Sequence, residues 1–330
     1  MESTVKWGIL STAHIATEYV IPAMIKSKYC NICAIASRSY EKAKTIADKF
    51  KIEKAYGSYQ ELIDDVKIEA LYIPLPNHLH VPWAIKALEA GKHVLLEKPI
   101  GLSVQEAQKL LDVAKKFPHL KIMEAFMYRH HPQWIKAKEL VDSGAIGKVK
   151  TIQSAFSFFD DNPNSIVNIK KYGGGSLMDI GCYPISASRF IFNSEPQEVF
   201  GSIEYHKEFK VDSVATAILK FKEGTCSFFS SIQIEERQQA QIFGTEGEIE
   251  FEIPFNPIAD KPSKIFLHQN NKTKEIVFEP CDQYTIQADL FSRAIIEKTE
   301  VPTPLQDAVN NMKVIEKIIE SDKLAKLINM

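Results

Sequence analysis

Three polar residues of this chain have types and spacings suited to moving a proton. Lys98 follows a short apolar run, His93–Leu96, and precedes Pro99, whose peptide bond is a candidate for the cis form. If that run is a strand of a parallel sheet, Lys98 lies at its carboxyl end, where open α/β sheets bind ligands. A lysine there can hold a substrate hydroxyl and lower the pKa of a neighbouring acid. Asp179 and Tyr183 are four residues apart, so on a helix they share one face.

A second group of residues could hold a dinucleotide cofactor. The turn after the first apolar run is rich in small residues, which could let the backbone approach a pyrophosphate at a helix N-terminus. The spacing does not meet the G-x-G-x-x-G pattern, so an ordinary strand-to-helix turn remains an alternative. The candidate cofactor residues of this turn are Gly8, Ser11, Thr12, Ala13 and Ile15.

The end of the second predicted strand indicates which dinucleotide is preferred. An NAD site commonly offers a carboxylate there to the adenosine ribose. This chain instead has Ser37, Arg38 and Ser39, with Lys42 one turn further on. A guanidinium flanked by hydroxyls suits a ribose phosphate, so the sequence favours NADP, with NAD possible. A solvated surface arginine is the alternative interpretation of Arg38.

Strands and helices alternate through the first third of the chain. This alternation predicts a Rossmann domain, a doubly wound parallel sheet, over residues 1–123. The helices begin near Ile15, where Pro22 should end or kink the first one, at Glu41, after Ser58, at Val81 and after Ser103. The predicted strands are Val5–Leu10, Asn31–Ala36, Ala70–Pro74, His93–Leu96 and Lys121–Met123.

From about Thr151 the pattern changes to consecutive strands joined by short turns. It predicts an α+β domain over residues 124–330 with a large, mostly antiparallel open sheet. Helices are expected over Ser176–Phe192, Tyr284–Lys298 and Leu305–Lys317. The predicted strands are Glu198–Tyr205, Ser213–Phe221, Thr225–Ile232, Gln239–Phe243, Glu248–Ile253 and Lys264–Leu267.

Composition narrows the class of protein. A net charge of −2 over 330 residues gives no reason to expect nucleic acid, and no apolar stretch is long enough to cross a bilayer. Five scattered cysteines and a start without a signal-peptide pattern favour the cytoplasm. No metal is expected, because the Cys30/Cys33, His78/His80 and His130/His131 pairs lack the spacing and acidic partners of metal sites.

The chain resembles the Gfo/Idh/MocA family of oxidoreductases along almost its whole length. It is most similar to the branch with dimeric dihydrodiol dehydrogenase and NADP-dependent xylose dehydrogenases. The order and spacing of the motifs carry the resemblance. They are Trp7-Gly8-Ile9, Pro76-Asn77-His78-Leu79-His80, Gly91-Lys92-His93-Val94 leading to Glu97-Lys98-Pro99, Glu124-Ala125-Phe126-Met127, and Gly173 to Pro184.

The resemblance implies hydride transfer at the CH–OH group of a sugar, polyol or cyclic diol. Tyr183 is then the general acid–base, Asp179 orients the substrate, and both face Lys98 across a cleft. The resemblance also implies that residues 124–330 bind the substrate and mediate oligomerisation, as a homodimer or a dimer of dimers. It leaves the roles of Asn168 and Lys170 open because Lys170 replaces a family arginine. The remaining cofactor residues that it implies are Leu75, Pro76, Asn77, His80, Glu97, Lys98 and Arg129.

Two other functions fit the same sequence. A non-catalytic dinucleotide sensor could keep the fold, although Lys98, Asp179 and Tyr183 argue against it because a sensor needs no proton donor. Reduction of a tetrapyrrole or an imine is the third possibility.

Overall fold

The structure, a computed structural model, describes residues 3–330 as two compact units. One unit contains the residues up to 127 and 282–309, and the other contains 128–281 and 310–330. The α-helices are α1 Ile21–Ile25, α2 Tyr40–Phe50, α3 Tyr59–Asp64, α4 His80–Glu89, α5 Val104–Ala114, α6 Pro132–Asp142, α7 Cys182–Phe192, α8 Gln283–Ile296 and α9 Leu305–Leu324.

The strands form two separate sheets. Those of the first unit are β1 Val5–Leu10, β2 Cys30–Ala36, β3 Lys54–Tyr56, β4 Ala70–Ile73, β5 His93–Leu96 and β6 Ile122–Glu124. Those of the second unit are β7 Val149–Phe159, β8 Glu198–Tyr205, β9 Asp212–Lys220, β10 Thr225–Ser231, β11 Gln233–Gly244, β12 Glu248–Phe251, β13 Ser263–Gln269, β14 Lys272–Phe278 and β15 Ile328–Asn329.

The first sheet is a six-stranded parallel sheet in the order β3-β2-β1-β4-β5-β6. Its central strands are apolar and largely buried, as expected for a sheet covered on both faces by helices. The strand order reverses beside β1, which is the topological switch point where such folds bind ligands. The predicted doubly wound parallel fold is confirmed.

The helices of this unit begin where the sequence predicts capping. Ser58 and Ser103 each accept a hydrogen bond from the backbone nitrogen of the glutamate three residues on, at 3.3 and 3.2 Å. The first helix differs from the prediction. A π-helical segment, Ile15–Val20, continues directly into α1, so Pro22 neither ends nor interrupts the helical run. Pro22 thus lies within a continuous helical run, just after the change from π-helical to α-helical geometry.

Helix α8 belongs to the compact core of the first unit although it is far away in sequence. Phe291 packs its ring 5.6 Å from that of Trp7, and the Trp7 indole donates to Ser292 Oγ at 3.1 Å. Residues 282–309 therefore group with the parallel sheet, in contrast to the simple boundary after residue 123. The assignment of cofactor binding to 1–123 and substrate binding to 124–330 stays a prediction.

The second sheet has nine strands in the order β14-β13-β12-β11-β7-β10-β9-β8-β15. All neighbours are antiparallel except β7 and β10. One face is apolar and buried, whereas the other carries exposed or half-exposed side chains such as Phe200, Ile218 and Phe266. The predicted mostly antiparallel open sheet is confirmed.

The central strand β7 was not predicted as a strand. Its alternation is weakened by Ser154 and Ser157, which are buried at positions where an apolar residue would be expected. Their hydroxyls donate to the carbonyls of Gln239 and Glu235 on β11, at 2.8 and 2.7 Å. Because buried serines can be satisfied by backbone acceptors, the strand forms without a clear hydrophobic pattern. β3, β14 and β15 were also missed.

Within the described part of the chain, no helix combines the length and the apolar character needed to span a membrane.

Candidate cofactor and catalytic sites

The turn after β1 has a backbone suited to close approach by a ligand. Ser11 has φ +151°, a conformation that residues other than glycine rarely adopt. The helical run begins directly afterwards, since the backbone nitrogens of Ala16 and Thr17 both donate to Ala13 O at 3.0 Å. Ser11, Thr12 and Ala13 are half-buried and small. The turn therefore offers a helix N-terminus to an anion such as a pyrophosphate.

Gly8 has a packing explanation rather than the predicted one. It lies in the middle of β1, and a Cβ there would be 2.5 Å from Leu62 Cδ2 and 3.0 Å from Leu71 Cδ2. Only glycine lets α3 and β4 pack this closely on the strand. Contact of Gly8 with a cofactor stays a prediction, and the geometry gives it no support.

The segment after β2 presents a cation and two hydroxyls. Arg38 and Lys42 are exposed, and Ser37 is buried at the carboxyl end of the strand. Ser39 caps α2 by accepting from the backbone nitrogen of Lys42 at 3.5 Å. The guanidinium thus lies at the N-terminus of a helix, in a setting that favours a negatively charged group.

The loop after β4 is tied to the loop after β5 by His80. Its Nε2 lies 2.6 Å from Leu75 O and its Nδ1 lies 2.7 Å from Pro99 O. Burial lowers the pKa of His80 to about 4, with the hydrogen bonds to Pro99 and Leu75 opposing the shift. Since the side chain is buried and both ring nitrogens face backbone carbonyls, His80 supports the site and has no polar atom left for the predicted cofactor contact. The Lys98–Pro99 peptide bond is cis.

Glu97 and Lys98 lie at the carboxyl end of β5 in different environments. Glu97 is buried and accepts a hydrogen bond from the Tyr72 hydroxyl at 2.6 Å, so its carboxylate is held rigidly at the end of β5. Lys98 is half-buried. Burial raises the pKa of Tyr284 on α8, and the charges of Glu97 and Lys98 act on it in opposite directions. Tyr284, which the sequence did not single out, is therefore a further neighbour of this site.

The remaining predicted residues of the β4 loop are accessible to different degrees. Leu75 is buried, whereas Pro76 and Asn77 are half-buried in and just before the short 3₁₀ segment that precedes α4. Leu75 contributes its carbonyl to His80, which leaves Pro76 and Asn77 as the more accessible edge of the loop.

Tyr183 lies in an aromatic cluster of the second unit. Its ring centroid is 5.6 Å from that of Tyr128 and 5.4 Å from those of Phe156 and Phe255. Tyr128 is fixed in turn, because its hydroxyl donates to Ser186 Oγ on α7 at 2.8 Å. Tyr183 is 4% exposed, so its ring position is set by packing. The sequence predicted Tyr183 but not the rings that hold it.

Asp179 and Tyr183 belong to one continuous helical run. A π-helical segment, Leu177–Gly181, leads directly into α7. Asp179 lies in this wider segment and its backbone nitrogen donates to Gly175 O at 3.1 Å. Its side chain is half-buried, whereas that of Tyr183 is buried. π-helical turns are frequent at functional sites, which agrees with the predicted role of this segment.

Three other predicted residues lie in the second unit. Arg129 places its guanidinium 4.9 Å from the ring centre of Phe190 on α7. Asn168 is buried and donates to the carbonyls of Asp160 and Asn162 at 3.1 and 3.0 Å, so it shapes the loop after β7. Lys170 is exposed. Asn168 thus has a structural explanation, and contact of Arg129 with a cofactor stays a prediction.

A cluster of potential metal ligands occurs elsewhere. In residues 3–330, the side chains close enough to share an ion are those of Glu248, Glu250 and His268 on β12 and β13. His268 Nε2 lies 3.8 Å from Glu248 Oε1 and 3.5 Å from Glu250 Oε2. The cysteine and histidine pairs considered from the sequence are not part of it.

The parallel sheet, with a helix N-terminus after β1 and a lysine at the carboxyl end of β5, has the arrangement of a Rossmann fold. Comparison with known proteins makes the assignment specific. Residues 5–124 match an oxidoreductase family with an NAD-binding Rossmann fold, and residues 134–250 match the GFO/IDH/MocA C-terminal domain. The chain belongs to the GFO/IDH/MocA family and is an enzyme of the oxidoreductase class.

Individual relatives cover most of the chain. It is 36% identical to a D-xylose 1-dehydrogenase (NADP(+)) of Haloferax volcanii, over 96% of both chains. It is 34% identical to a trans-1,2-dihydrobenzene-1,2-diol dehydrogenase of Xenopus tropicalis, over 74% of both. A 3-ketoreductase of Actinomadura kijaniata, crystallised with NADP and TDP-benzene, superposes with a TM-score of 0.91 at 26% identity, over 97% of this chain and 98% of that one.

Proposed function

We propose that this enzyme is an NADP(H)-dependent oxidoreductase that transfers hydride to or from the CH–OH carbon of a sugar, polyol or cyclic diol. The observation that carries the proposal is the position of Lys98. It is a half-buried lysine at the carboxyl end of β5, beside the rigid Glu97 and within electrostatic range of Tyr284. Parallel sheets bind ligands at this edge, and a lysine there can act on a substrate oxygen.

The preference for NADP rests on the segment after β2. Arg38 is exposed at the start of α2, with Ser37 and Ser39 on either side of it. A ribose phosphate would receive charge-assisted hydrogen bonds from Arg38, and residues 37–39 contain no carboxylate to repel it. NAD lacks that phosphate, so it would bind through the remaining contacts alone. The xylose dehydrogenase relative is named for NADP, and the ketoreductase was crystallised with it, which supports the same choice.

Proton transfer is assigned to Tyr183 with Lys98. In the reducing direction, the Tyr183 hydroxyl gives its proton to the carbonyl oxygen as hydride reaches the carbonyl carbon, and oxidation reverses both transfers. Lys98, at the carboxyl end of β5, is assigned the role of binding a substrate oxygen. Asp179 accepts a hydrogen bond from a neighbouring hydroxyl and thereby orients the substrate. When bound, the nicotinamide supplies or accepts the hydride.

The second unit would bind the substrate and a second copy of the chain. Tyr128, Phe156 and Phe255 are themselves buried around Tyr183, so they would hold its ring in place rather than contact the substrate. The open face of the nine-stranded sheet exposes Phe200 and Ile218 by 37% and 44%, and covering such side chains would favour a homodimer or a dimer of dimers. Light scattering after size exclusion measures the assembly, and a monomer at micromolar concentration would refute it.

The decisive experiment is a substrate panel read by the absorbance of NADPH. Aldoses, polyols and cyclic diols are each tested with NADP and with NAD, and ketoses and deoxyketoses with the reduced forms. Turnover of at least one compound, with a higher kcat/KM for NADP, is expected. Tight NADPH binding without turnover of any compound would refute the enzyme assignment to this class of substrate and favour a dinucleotide sensor.

A further inference from the structure

Asp212 is a half-buried carboxylate that none of the catalytic assignments uses. It is the first residue of β9, and its Oδ2 accepts two hydrogen bonds from the start of the helical run that carries Tyr183. The backbone nitrogen of Leu177 donates at 2.6 Å and the hydroxyl of Ser176 donates at 3.0 Å. One oxygen of the sheet thus holds two consecutive residues of the helix start.

The chain around Ser176 is shaped to admit this carboxylate. Gly175 has φ +120°, and a Cβ there would lie 1.9 Å from Asp212 Oδ1. The Gly175 backbone nitrogen also donates to Val167 O at 2.8 Å. Any side chain at residue 175 would therefore displace Asp212 from the helix start. Gly175 is therefore required to leave room for the Asp212 carboxylate as well as to form the turn.

The connection from Asp212 to Tyr183 is short and rigid. Ser176 also approaches the Ser230 hydroxyl at 3.2 Å, and a Cβ on Gly181 would lie 2.9 Å from Ser230 Oγ, so the helical run is pressed against β10. Tyr183 follows after less than two turns, surrounded by three aromatic rings. A shift at Leu177 would be transmitted along this run, because closely packed interiors transmit strain.

Withdrawing the Asp212 carboxylate from water costs free energy, which indicates that its contact with the helix start has a function. Burial raises the pKa of Asp212 to about 6, and the hydrogen bonds from Leu177 and Ser176 oppose the rise. A neutral cap such as serine could satisfy a helix N-terminus without burying a charge. A carboxylate makes stronger hydrogen bonds than a hydroxyl and therefore holds the helix start more firmly.

We propose that Asp212 is a positioning residue that fixes Tyr183 for proton transfer by holding Ser176 and Leu177 at the start of the helix. This inference rests on the proposed function of Tyr183. Asp212 acts through the helix and touches neither substrate nor cofactor.

A double-mutant cycle on kcat tests this role. Asp212→Ala is expected to lower kcat by ~10²-fold, the order of loss from a misplacement of about 1 Å, with little change in the NADPH dissociation constant. In a Tyr183→Phe background the same substitution should have almost no further effect, because the group it positions is gone. Independent, multiplicative losses in the two backgrounds would overturn the proposal.

Two further variants separate positioning from general instability. Asp212→Asn keeps an oxygen acceptor of the same size but loses the charge, so its kcat should lie between that of Asp212→Ala and that of the wild type. Ser176→Ala removes one donor, leaves the bond from Leu177, and should lower kcat by less than Asp212→Ala. If Asp212→Ala fails to fold, Ser176→Ala takes its place in the cycle with Tyr183→Phe. A kcat for Asp212→Asn as low as that for Asp212→Ala would contradict the proposal.

A spectroscopic measurement keeps the inference distinct from the proposed function. With 3-fluorotyrosine incorporated at position 183, the ¹⁹F resonance should shift and broaden in Asp212→Ala or Ser176→Ala and return in Asp212→Asn. Absence of wild-type turnover would refute the proposed function, and the ¹⁹F spectrum would still decide the positioning role. An unchanged resonance in Asp212→Ala would overturn it.

Discussion

The Oδ2 atom of Asp212 lies 2.6 Å from the backbone nitrogen of Leu177, so a sheet carboxylate caps the helical run that carries Tyr183. The two residues are 35 positions apart in sequence. Because the cap comes from another element, it fixes the helix relative to β9 as well as satisfying an otherwise unpaired N–H.

The partial burial of the Asp212 carboxylate predicts a distinctive dependence of protein stability on pH. The pKa of Asp212 is about 6 in the folded protein, above the ordinary aspartate value of 3.8 that applies to the unfolded chain. The folded state therefore binds the proton more tightly, and its stability falls as pH rises from about 4 to about 6. An asparagine side chain cannot ionise, so Asp212→Asn should not lose stability in this pH range. The unfolding free energy of the variant minus that of the wild type should therefore increase by up to ~3 kcal/mol between about pH 4 and pH 7. Urea titrations at several pH values measure it, and parallel pH curves would contradict it.

Lys98→Met should remove turnover while leaving NADPH binding nearly unchanged. The substitution keeps the length of the side chain and deletes the ammonium, so the loss reports on the charge. We expect kcat to fall by ~10²–10⁴-fold, the range of positioned proton-transfer groups. Lys86→Met, on α4, is the matched control and should have wild-type kcat. Retained turnover in Lys98→Met would remove the assignment of Lys98.

Arg38→Ala should erode the preference for NADP over NAD. Loss of a charge-assisted hydrogen bond to a phosphate costs about 1.5–3 kcal/mol, so kcat/KM for NADP should fall by ~10–100-fold while that for NAD changes little. Arg293→Ala removes an exposed arginine of α8 in the same unit and serves as the control. Steady-state kinetics with both cofactors measure the ratio, and an unchanged ratio would exclude Arg38 as the phosphate ligand.

Gly8→Ala tests whether this glycine serves packing or cofactor binding. The added methyl group would meet Leu62 Cδ2 at 2.5 Å, so the variant should be destabilised by about 1–3 kcal/mol. Folded Gly8→Ala protein should bind NADPH with wild-type affinity, and the double variant with Leu62→Ala should lose less stability than the sum of the two single losses. A large loss of NADPH affinity without loss of stability would indicate that Gly8 serves cofactor binding.

Much of the fold was predictable because its signals are local. The capping serines Ser58 and Ser103 and the apolar strands β4 and β5 follow from residue type and spacing alone, so the parallel sheet could be inferred from the sequence. Strand β7 could not, because its buried Ser154 and Ser157 are satisfied by carbonyls of a strand far along the chain. α8 was predicted as a helix, but only the structure groups it with Trp7.

The candidate site was predicted where a residue type itself carries the chemistry. Lys98, Arg38 and Tyr183 could be identified as candidates from the sequence in this way. Their assigned roles remain predictions. Ser11 shows the limit, since a glycine-like φ at a serine is invisible to a search for glycine patterns. His80 was assigned to the cofactor because it follows a strand, whereas two backbone carbonyls occupy its ring nitrogens. Asp212 carries no sequence signal at all, since its partners lie on a distant helix.

The inclusion of residues 282–309 in the first unit has a consequence for synthesis of the chain. The ribosome releases Trp7 long before its partners Phe291 and Ser292, the second of which follows it by 285 residues. During that interval the face of the sheet that carries the Trp7 side chain lacks the cover of α8. A chain that terminates before α8 would therefore keep this apolar surface exposed. Chaperones and proteases would be expected to recognise it.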